Sequence, residues 1–537
     1  MKLCNLQITN HSRIEDLNIE VRDNLILIGS NGSGKSSLIR CLDLLLGKTT
    51  QQLYYNITPS DFANDTKPFI IQATLEELSN DERSHFPDEI DANTGRLTIT
   101  LEASLDNEEI ALIRYCGTRR TPTTRTSVTF KQLKAIGWSA VDANFSATQL
   151  NSGRKTIIDS YLSELDISRD APALNSAISD LSATIDNSEA FSNTLTLLAE
   201  QLNPTIQGGI SKDDLKFVPG ASIDDNLLSD IRLKIETQSG KSLEATEQSD
   251  GTKALITLAI YNLMNNGGMI AIDEPETHLH PSAQRNLIRS LKRTGRQLII
   301  ATHSGRIASE FDPDNIVATK AAAAARQPNE GLLQGKDEQK TLARWWINTR
   351  VELLTASHII AVEGQTDRML VERVAELTGH DLYRDGVEIL EAGGCQEMVH
   401  IINLFGKNGF DIPLTVLIDQ DAEKKLAKKL QITPDQLLHR NVHISRADLE
   451  DEYVAALGVD KLWNALSTSP AFKPNQITDF TKNFKHSVPD LSELATFCRD
   501  KDYKTQCAVL VSSFLTPETA SRITSVNEVL NEVFSRS

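Results

Sequence analysis

"NLILIGSNGSGKSSLIRCLDLLLG" (residues 24–47) places an aliphatic run, a glycine-rich turn and an amphipathic stretch in immediate succession. Leu25 to Ile28 are uninterrupted aliphatics of strand length, while Leu38, Cys41, Leu42 and Leu45 recur at helical spacing until Gly47. Between them Gly29, Gly34, Lys35 and Ser36 fit G-x-x-x-x-G-K-[ST] in the strand-to-helix setting that pattern requires. The glycines let backbone amides around Asn31, Gly32 and Ser37 curl about a phosphate. The lysine reaches terminal phosphates, and the Ser36 hydroxyl ligates magnesium. The stretch predicts an α/β fold.

Further along, "GGMIAIDEPETHLHP" (267–281) is an apolar strand ending in Asp273 and Glu274, and "QLIIATHS" (297–304) is a second strand ending at His303. Asp273 suits a magnesium shell, Glu274 suits a water-orienting base, and His303 suits a sensor of the terminal phosphate. "EQSDGTKAL" (247–255) precedes a helix where ABC-type ATPases carry their signature loop; it keeps Ser249 and Gly251 but departs from Leu-Ser-Gly-Gly-Gln. In that resemblance the loop caps nucleotide held by a second subunit. The wide separation of glycine loop and acidic strand resembles the SMC and RecF branch of these ATPases.

Bulk properties bound the rest. A chain of 537 residues exceeds one ordinary core. No run of about 18 apolar residues and no export-type N-terminus appears, so a soluble, cytoplasmic protein is expected. The six cysteines form no CxxC pair, and a net charge of -18 argues against a protein that coats nucleic acid over its whole surface. Basic clusters such as "GTRRTPTTR" (117–125), "RSLKRTGR" (289–296) and "EKKLAKKL" (423–430) each read, alone, as solvated surface. Residues 68–135, with "RLTITLEASL" and "SVTFKQLK", suggest an antiparallel accessory sheet, and 155–205 a helical insertion that could serve as a self-association arm. An Ala-, Gln- and Gly-biased stretch at 320–339 reads as a linker or weakly packed helix. The expected domains are a head at 1–340, a second α/β domain at 355–455 and a helical region at 456–537.

In that second domain, strands at 358–363, 387–391 and 414–419 alternate with helices at 367–377 and 396–404, implying a small parallel sheet with ligands beyond its carboxyl edge. "IIAVEGQTDRML" (359–370) closes an aliphatic strand on Glu363 and offers Asp367 four residues later; "LTVLIDQDAE" (414–423) ends in Asp419 and Asp421. Carboxylates there would be costly to desolvate without cations or a wet cleft, and oxygen donors suit Mg²⁺ or Mn²⁺. "SRADLEDEY" (445–453) adds a third acidic group, with Glu450 preferred over Glu452. As helix N-terminal acids these last would need no metal.

"AVEGQTDRMLVERV" and "LTVLIDQDAE" resemble the two acidic motifs of Toprim domains. An ABC-type head followed by Toprim resembles the OLD (overcoming lysogenization defect) family of nucleases, Gabija GajA-like proteins included, and this likeness spans essentially the whole chain. It implies a metal-dependent DNA endonuclease in anti-phage defence, with ATP and one Mg²⁺ at the head and two ions at Glu363, Asp367, Asp419, Asp421 and Glu450. It further implies double-stranded DNA as substrate, a homo-oligomer built through the head and helical arm, and a helicase or retron partner. The family's lysine near the scissile phosphate falls in "KDYKTQCA" (501–508), with Lys504 ahead of Lys501. The rival reading is a RecF-like ATP-driven clamp with a non-catalytic Toprim fold; topoisomerase or primase activity ranks lower.

Overall fold

The structure is a computed structural model that describes residues 1–106, 109–123, 127–141, 150, 156–164, 184–185, 187–206, 209–219, 231–236, 242–264, 268–277, 279–320, 325–445, 447–482 and 488–535. It divides into two compact units, Met1–Arg326 with Lys340–Val351, and Gln327–Gln339 with Glu352–Ser537. Among the described residues no helix is long and apolar enough to cross a membrane.

The first unit is built on a parallel sheet in the order Ile316–Thr319, Leu25–Gly29, Gln297–Thr302, Met269–Asp273, Trp138–Val141. The four strands from Ile316–Thr319 to Met269–Asp273 are buried at every residue, as a sheet covered on both faces demands. Helix Lys35–Leu46 buries Leu38, Ile39, Cys41, Leu42 and Leu44 to Leu46 in a core shared with a second, antiparallel sheet. That sheet runs Glu15–Glu20, Lys2–His11, Phe69–Glu76, Leu97–Asp106, Glu109–Cys116. It therefore starts at the N-terminus, where sequence reasoning began it near residue 68. "SVTFKQLK" does not join it but turns into helix Phe130–Ile136. Thr129 N donates to Gln132 Oε1 at 2.9 Å and Gln132 N donates back to Thr129 Oγ1 at 3.3 Å, a reciprocal cap that overrides the β-branched run before it.

Helices Ile157–Glu164 and Glu189–Leu202 fall in the expected insertion at 155–205, and a three-stranded antiparallel sheet in the order Ser242–Glu244, Ile231–Glu236, Leu215–Pro219, which the sequence did not predict, follows it. The middle of that insertion, 165–183, lies outside the described residues. Of the stretch at 320–339, residues 321–324 lie outside the described ones; the rest holds Arg326 in an isolated bridge to Ala318, turns, and the start of helix Asp337–Thr349. That helix buries Trp346 and exposes Trp345.

The second unit carries a four-stranded parallel sheet in the order Val387–Glu391, His358–Val362, Leu414–Ile418, Val442–Ile444. Helices Gln365–Thr378, Cys395–Phe405 and Gln420–Leu430 follow its first three strands in chain order, so the expected alternation is present element by element. The C-terminal segment is helical and contributes to one core with the sheet, including Leu370, Val371, Leu494, Phe497 and Val529. Phe497 is ringed by Trp463, Phe472, Phe480 and Tyr503. Burying one such phenyl contributes about 1.5–3 kcal/mol. This cluster fixes the start of helix Lys504–Phe514, and with it the position of Lys504.

Candidate nucleotide and metal sites

In the first unit the glycine loop joins strand Leu25–Gly29 to helix Lys35–Leu46. Gly34 has φ 90°, the left-handed region that a side chain disfavours. A Cβ on Gly29 would lie 2.1 Å from Ser33 Oγ and 2.2 Å from Thr319 Oγ1, so the turn closes only on glycine. Asn31, Gly32 and Ser36 are exposed and Ser37 half-buried. Lys35 is 5% exposed, and its ammonium donates to the loop's own Gly29 and Ser30 carbonyls at 2.9 and 3.1 Å. Burial pulls its pKa down, while Glu274, Asp273 and Glu276 pull it up. A cation wrapped by a backbone cradle, with carboxylates facing it, fits a Mg²⁺-nucleotide phosphate tail.

Asp273 ends its strand buried. Glu274 follows with φ 48°, an unusual conformation for a glutamate, pinned by its N–H donating to Ala301 O at 2.8 Å. That turn brings Glu274 Oε1 to 3.7 Å from His303 Nε2. Burial and the nearby Lys35 charge lower the His303 pKa against Glu274 and Glu276, which favours the neutral ring. Glu276, which sequence reasoning passed over, accepts from His303 N at 2.6 Å and Thr302 Oγ1 at 2.7 Å, tying the acidic turn to the neighbouring strand end. Ser249 is local in its bonding: it meets Thr252 Oγ1 at 3.0 Å and caps the helix Asp250–Met264 in which Gly251 lies.

In the second unit three adjacent parallel strands deliver acids at their carboxyl ends. Glu363 follows His358–Val362, Asp419 follows Leu414–Ile418, and Asp448 and Glu450 follow Val442–Ile444. Glu363 Oε1 accepts from Asp419 N at 3.0 Å. Asp419 Oδ1 accepts from Ser445 Oγ at 2.9 Å and Leu449 N at 3.3 Å, stitching the second strand end to the third. Asp367 is buried and accepts from Gly364 N at 2.9 Å. Glu450 is 3% exposed; its Oε1 meets Lys504 Nζ at 3.1 Å, and its Oε2 has no hydrogen-bond partner among the described residues.

The electrostatics report one shared site. Burial pushes Glu363 up to about 7, with Asp419, Asp367 and Asp421 adding repulsion. Burial lifts Asp367 to about 6 against the pull of Lys504, and Asp419 and Glu450 lift it further. Burial would lower Lys504, yet Glu450, Asp367 and Asp419 outweigh it and raise its pKa. The candidate lysine thus lies among the candidate acids. Asp421 is exposed and paired with Lys425 at 3.1 Å. Glu452, the second choice in its segment, turns away and accepts from Ser525 N and Oγ at 2.9 and 3.0 Å. Two helical positions, about 200° of rotation, separate near-opposite directions, so Glu450 goes inward and Glu452 toward helix Thr524–Ser535. Asp448, which the sequence did not single out, is raised to about 6 by burial and by Asp419, and is bound by Arg499.

Among the described residues no three His, Cys, Asp or Glu side chains stand close enough together, as placed, to hold a metal ion. Crowded carboxylates with suppressed ionisation and an orphaned buried oxygen on Glu450 nonetheless fit a hard divalent ion, which takes oxygen donors and relieves the repulsion.

A phosphate-cradling parallel sheet and an acid-rimmed Toprim sheet in one polypeptide define the class: an ATPase joined to a Toprim domain. A family profile described as "AAA domain, putative AbiEii toxin, Type IV TA system" matches residues 25–308, and one described as "Overcoming lysogenization defect protein-like, TOPRIM domain" matches residues 354–421. The chain is 23% identical over 445 residues to the OLD nuclease of Thermus scotoductus, covering 78% of this chain and 82% of that one. It is 22% identical over 469 residues to Endonuclease GajA of Bacillus cereus, covering 80% and 76%. With the Old nuclease of Escherichia phage P2 it shares 23% identity over 462 residues, 76% of each chain. This chain belongs to that AAA-domain family, and its pairing of that domain with an OLD-like Toprim domain is the OLD-family nuclease architecture.

Proposed function

We propose that this chain is a divalent-cation-dependent endonuclease of double-stranded DNA, governed by ATP at its own head and acting in anti-phage defence. The observation that carries the reading is the Lys504 ammonium seated among Glu450, Asp367 and Asp419 at the edge where three strands end. Glu363, Asp367, Asp419, Asp421 and Glu450 would hold Mg²⁺ or Mn²⁺, with Asp448 as a further donor. Two bound ions at such a site would supply charge stabilisation to both the attacking and leaving oxygens of a phosphodiester. Lys504 would offset the charge that develops on the scissile phosphate.

At the head, Lys35 and the loop amides would grip the phosphates, and Ser36 and Asp273 would complete the shell of one Mg²⁺. Glu274 would align water, and Glu276 would hold His303 at the terminal phosphate. Ser249 and Gly251 would serve the nucleotide of a second copy, making the protein a homo-oligomer through its heads.

The test is nicking of supercoiled plasmid with Mg²⁺ or Mn²⁺, with and without ATP. Wild type should cut and Asp419→Ala should not, while Lys35→Ala alters the nucleotide dependence but keeps metal-dependent cutting. A wild type that leaves every plasmid and duplex intact overturns the reading, and ATP-dependent DNA association without cutting would point to a clamp.

A further inference from the structure

Helix Gln420–Leu430 begins at Asp419 and carries Asp421, Lys424, Lys425, Lys428 and Lys429 at positions i, i+3, i+4, i+7 and i+8. That spacing is a single helical face. The structure exposes all four lysines and buries Ala422, Leu426 and Ala427 on the opposite side. Lys425 Nζ lies 3.1 Å from Asp421 Oδ2, which ties the lysine face physically to the acid at its head. We infer that this lysine face is the surface along which the duplex flanking the cut site lies as it enters the acid rim.

The inference rests on the nuclease reading above and extends it to the substrate beyond the scissile phosphate. At about 1.5 Å rise per residue, Lys424 and Lys428 stand about 6 Å apart along the axis, as do Lys425 and Lys429. From Asp421 to Lys429 is about 12 Å, or three to four steps of a duplex strand at about 3.4 Å each. The face is therefore long enough to follow consecutive phosphates away from the site. Lys428 and Lys429 also complement the helix dipole at its carboxyl end, which accounts for two of the four. Lys424 and Lys425, mid-helix, gain nothing from the dipole. In a chain of net charge -18, a row of four ammonium groups leading from the acids gives DNA a defined approach and leaves most of the surface repulsive.

Counterion release makes the proposal quantitative. The slope of log affinity against log salt is about -0.9 per neutralised phosphate, so four contacts contribute about -3.6. Binding of a fluorescein-labelled duplex of about 30 base pairs to the full-length protein would be followed by anisotropy, with Ca²⁺ replacing Mg²⁺, between 50 and 200 mM KCl. Replacing all four lysines with glutamine should flatten the slope by about 3.6, removing an affinity change of roughly 10² across that range. Lys424→Gln with Lys428→Gln should flatten it by about half as much, and four Lys→Arg changes should keep it.

A slope untouched by the glutamine changes, or lost equally with arginine, overturns the inference while leaving a plasmid-nicking wild type as a nuclease. A wild type that binds no duplex and cuts no plasmid overturns both.

Discussion

Lys504→Gln removes the ammonium 3.1 Å from a carboxylate that is 3% exposed, and leaves Asp367 and Asp419 with less to balance them. Breaking a fully buried pair from one side costs about 3–5 kcal/mol, because the surviving charge stays buried. The Lys504 side chain keeps 29% exposure, so solvent screening brings the expected cost to about 2–3 kcal/mol. For a unit of this size each kcal/mol moves the melting temperature by about 2–4 °C, which gives a drop of about 4–12 °C in the nuclease unit. The assay is thermal unfolding at pH 8 in chelator, repeated in Mn²⁺ and at pH 5. The deficit should shrink in Mn²⁺, which can replace the lost cation. It should shrink at pH 5 as well, because the crowded carboxyls then take up protons. Equal melting of variant and wild type at pH 8 in chelator would refute the claim that Lys504 balances this acid cluster.

The ion-free protein should lose stability as pH rises, the reverse of an ordinary salt-bridged carboxylate. Asp367 has a folded pKa raised from 3.8 to about 6, so its contribution is complete below 3.8 and lost as pH climbs through 6, a loss of about 3 kcal/mol in full, of which about 2 kcal/mol should separate urea unfolding at pH 4.5 from that at pH 8. Glu276→Gln can no longer accept both the His303 N–H and the Thr302 hydroxyl, so ATP turnover should fall tenfold or more, since a charge-assisted bond is worth about 1.5–3 kcal/mol. Nucleotide affinity should stay within about threefold, and equal losses in kcat and affinity would count against a positioning role. Gly34→Ala, which forces a side chain into φ 90° with its Cβ 3.2 Å from Ile14, should abolish nucleotide binding measured by equilibrium dialysis.

Both sites were legible where their chemistry is local. The glycine loop is continuous in sequence, and Glu363 and Asp419 announce themselves as carboxylates closing aliphatic strands. What stayed hidden depends on partners far along the chain. "SRADLEDEY" offers four acids within five positions, and composition cannot rank them. Asp448 is drawn into the cluster beside Arg499, while Glu452 is taken by Ser525, seventy-three residues on. Glu276 sits unmarked beside Asp273 and Glu274, and only the crossing to His303 reveals its work. Lys504 had no signal of its own beyond the family likeness, since its selection is made by the aromatic packing that starts its helix. The helix at Phe130–Ile136 was missed for the opposite reason: a local cap outweighed a local strand propensity.

A nuclease at this site requires the acids at the end of the second unit's sheet to bind a divalent ion together. Anomalous diffraction from crystals soaked in Mn²⁺ tests that without reference to activity. Peaks coordinated by carboxylate oxygens from among Glu363, Asp367, Asp419 and Glu450 are the predicted result. Manganese found only elsewhere, or none within reach of these side chains at saturating concentration, would contradict it.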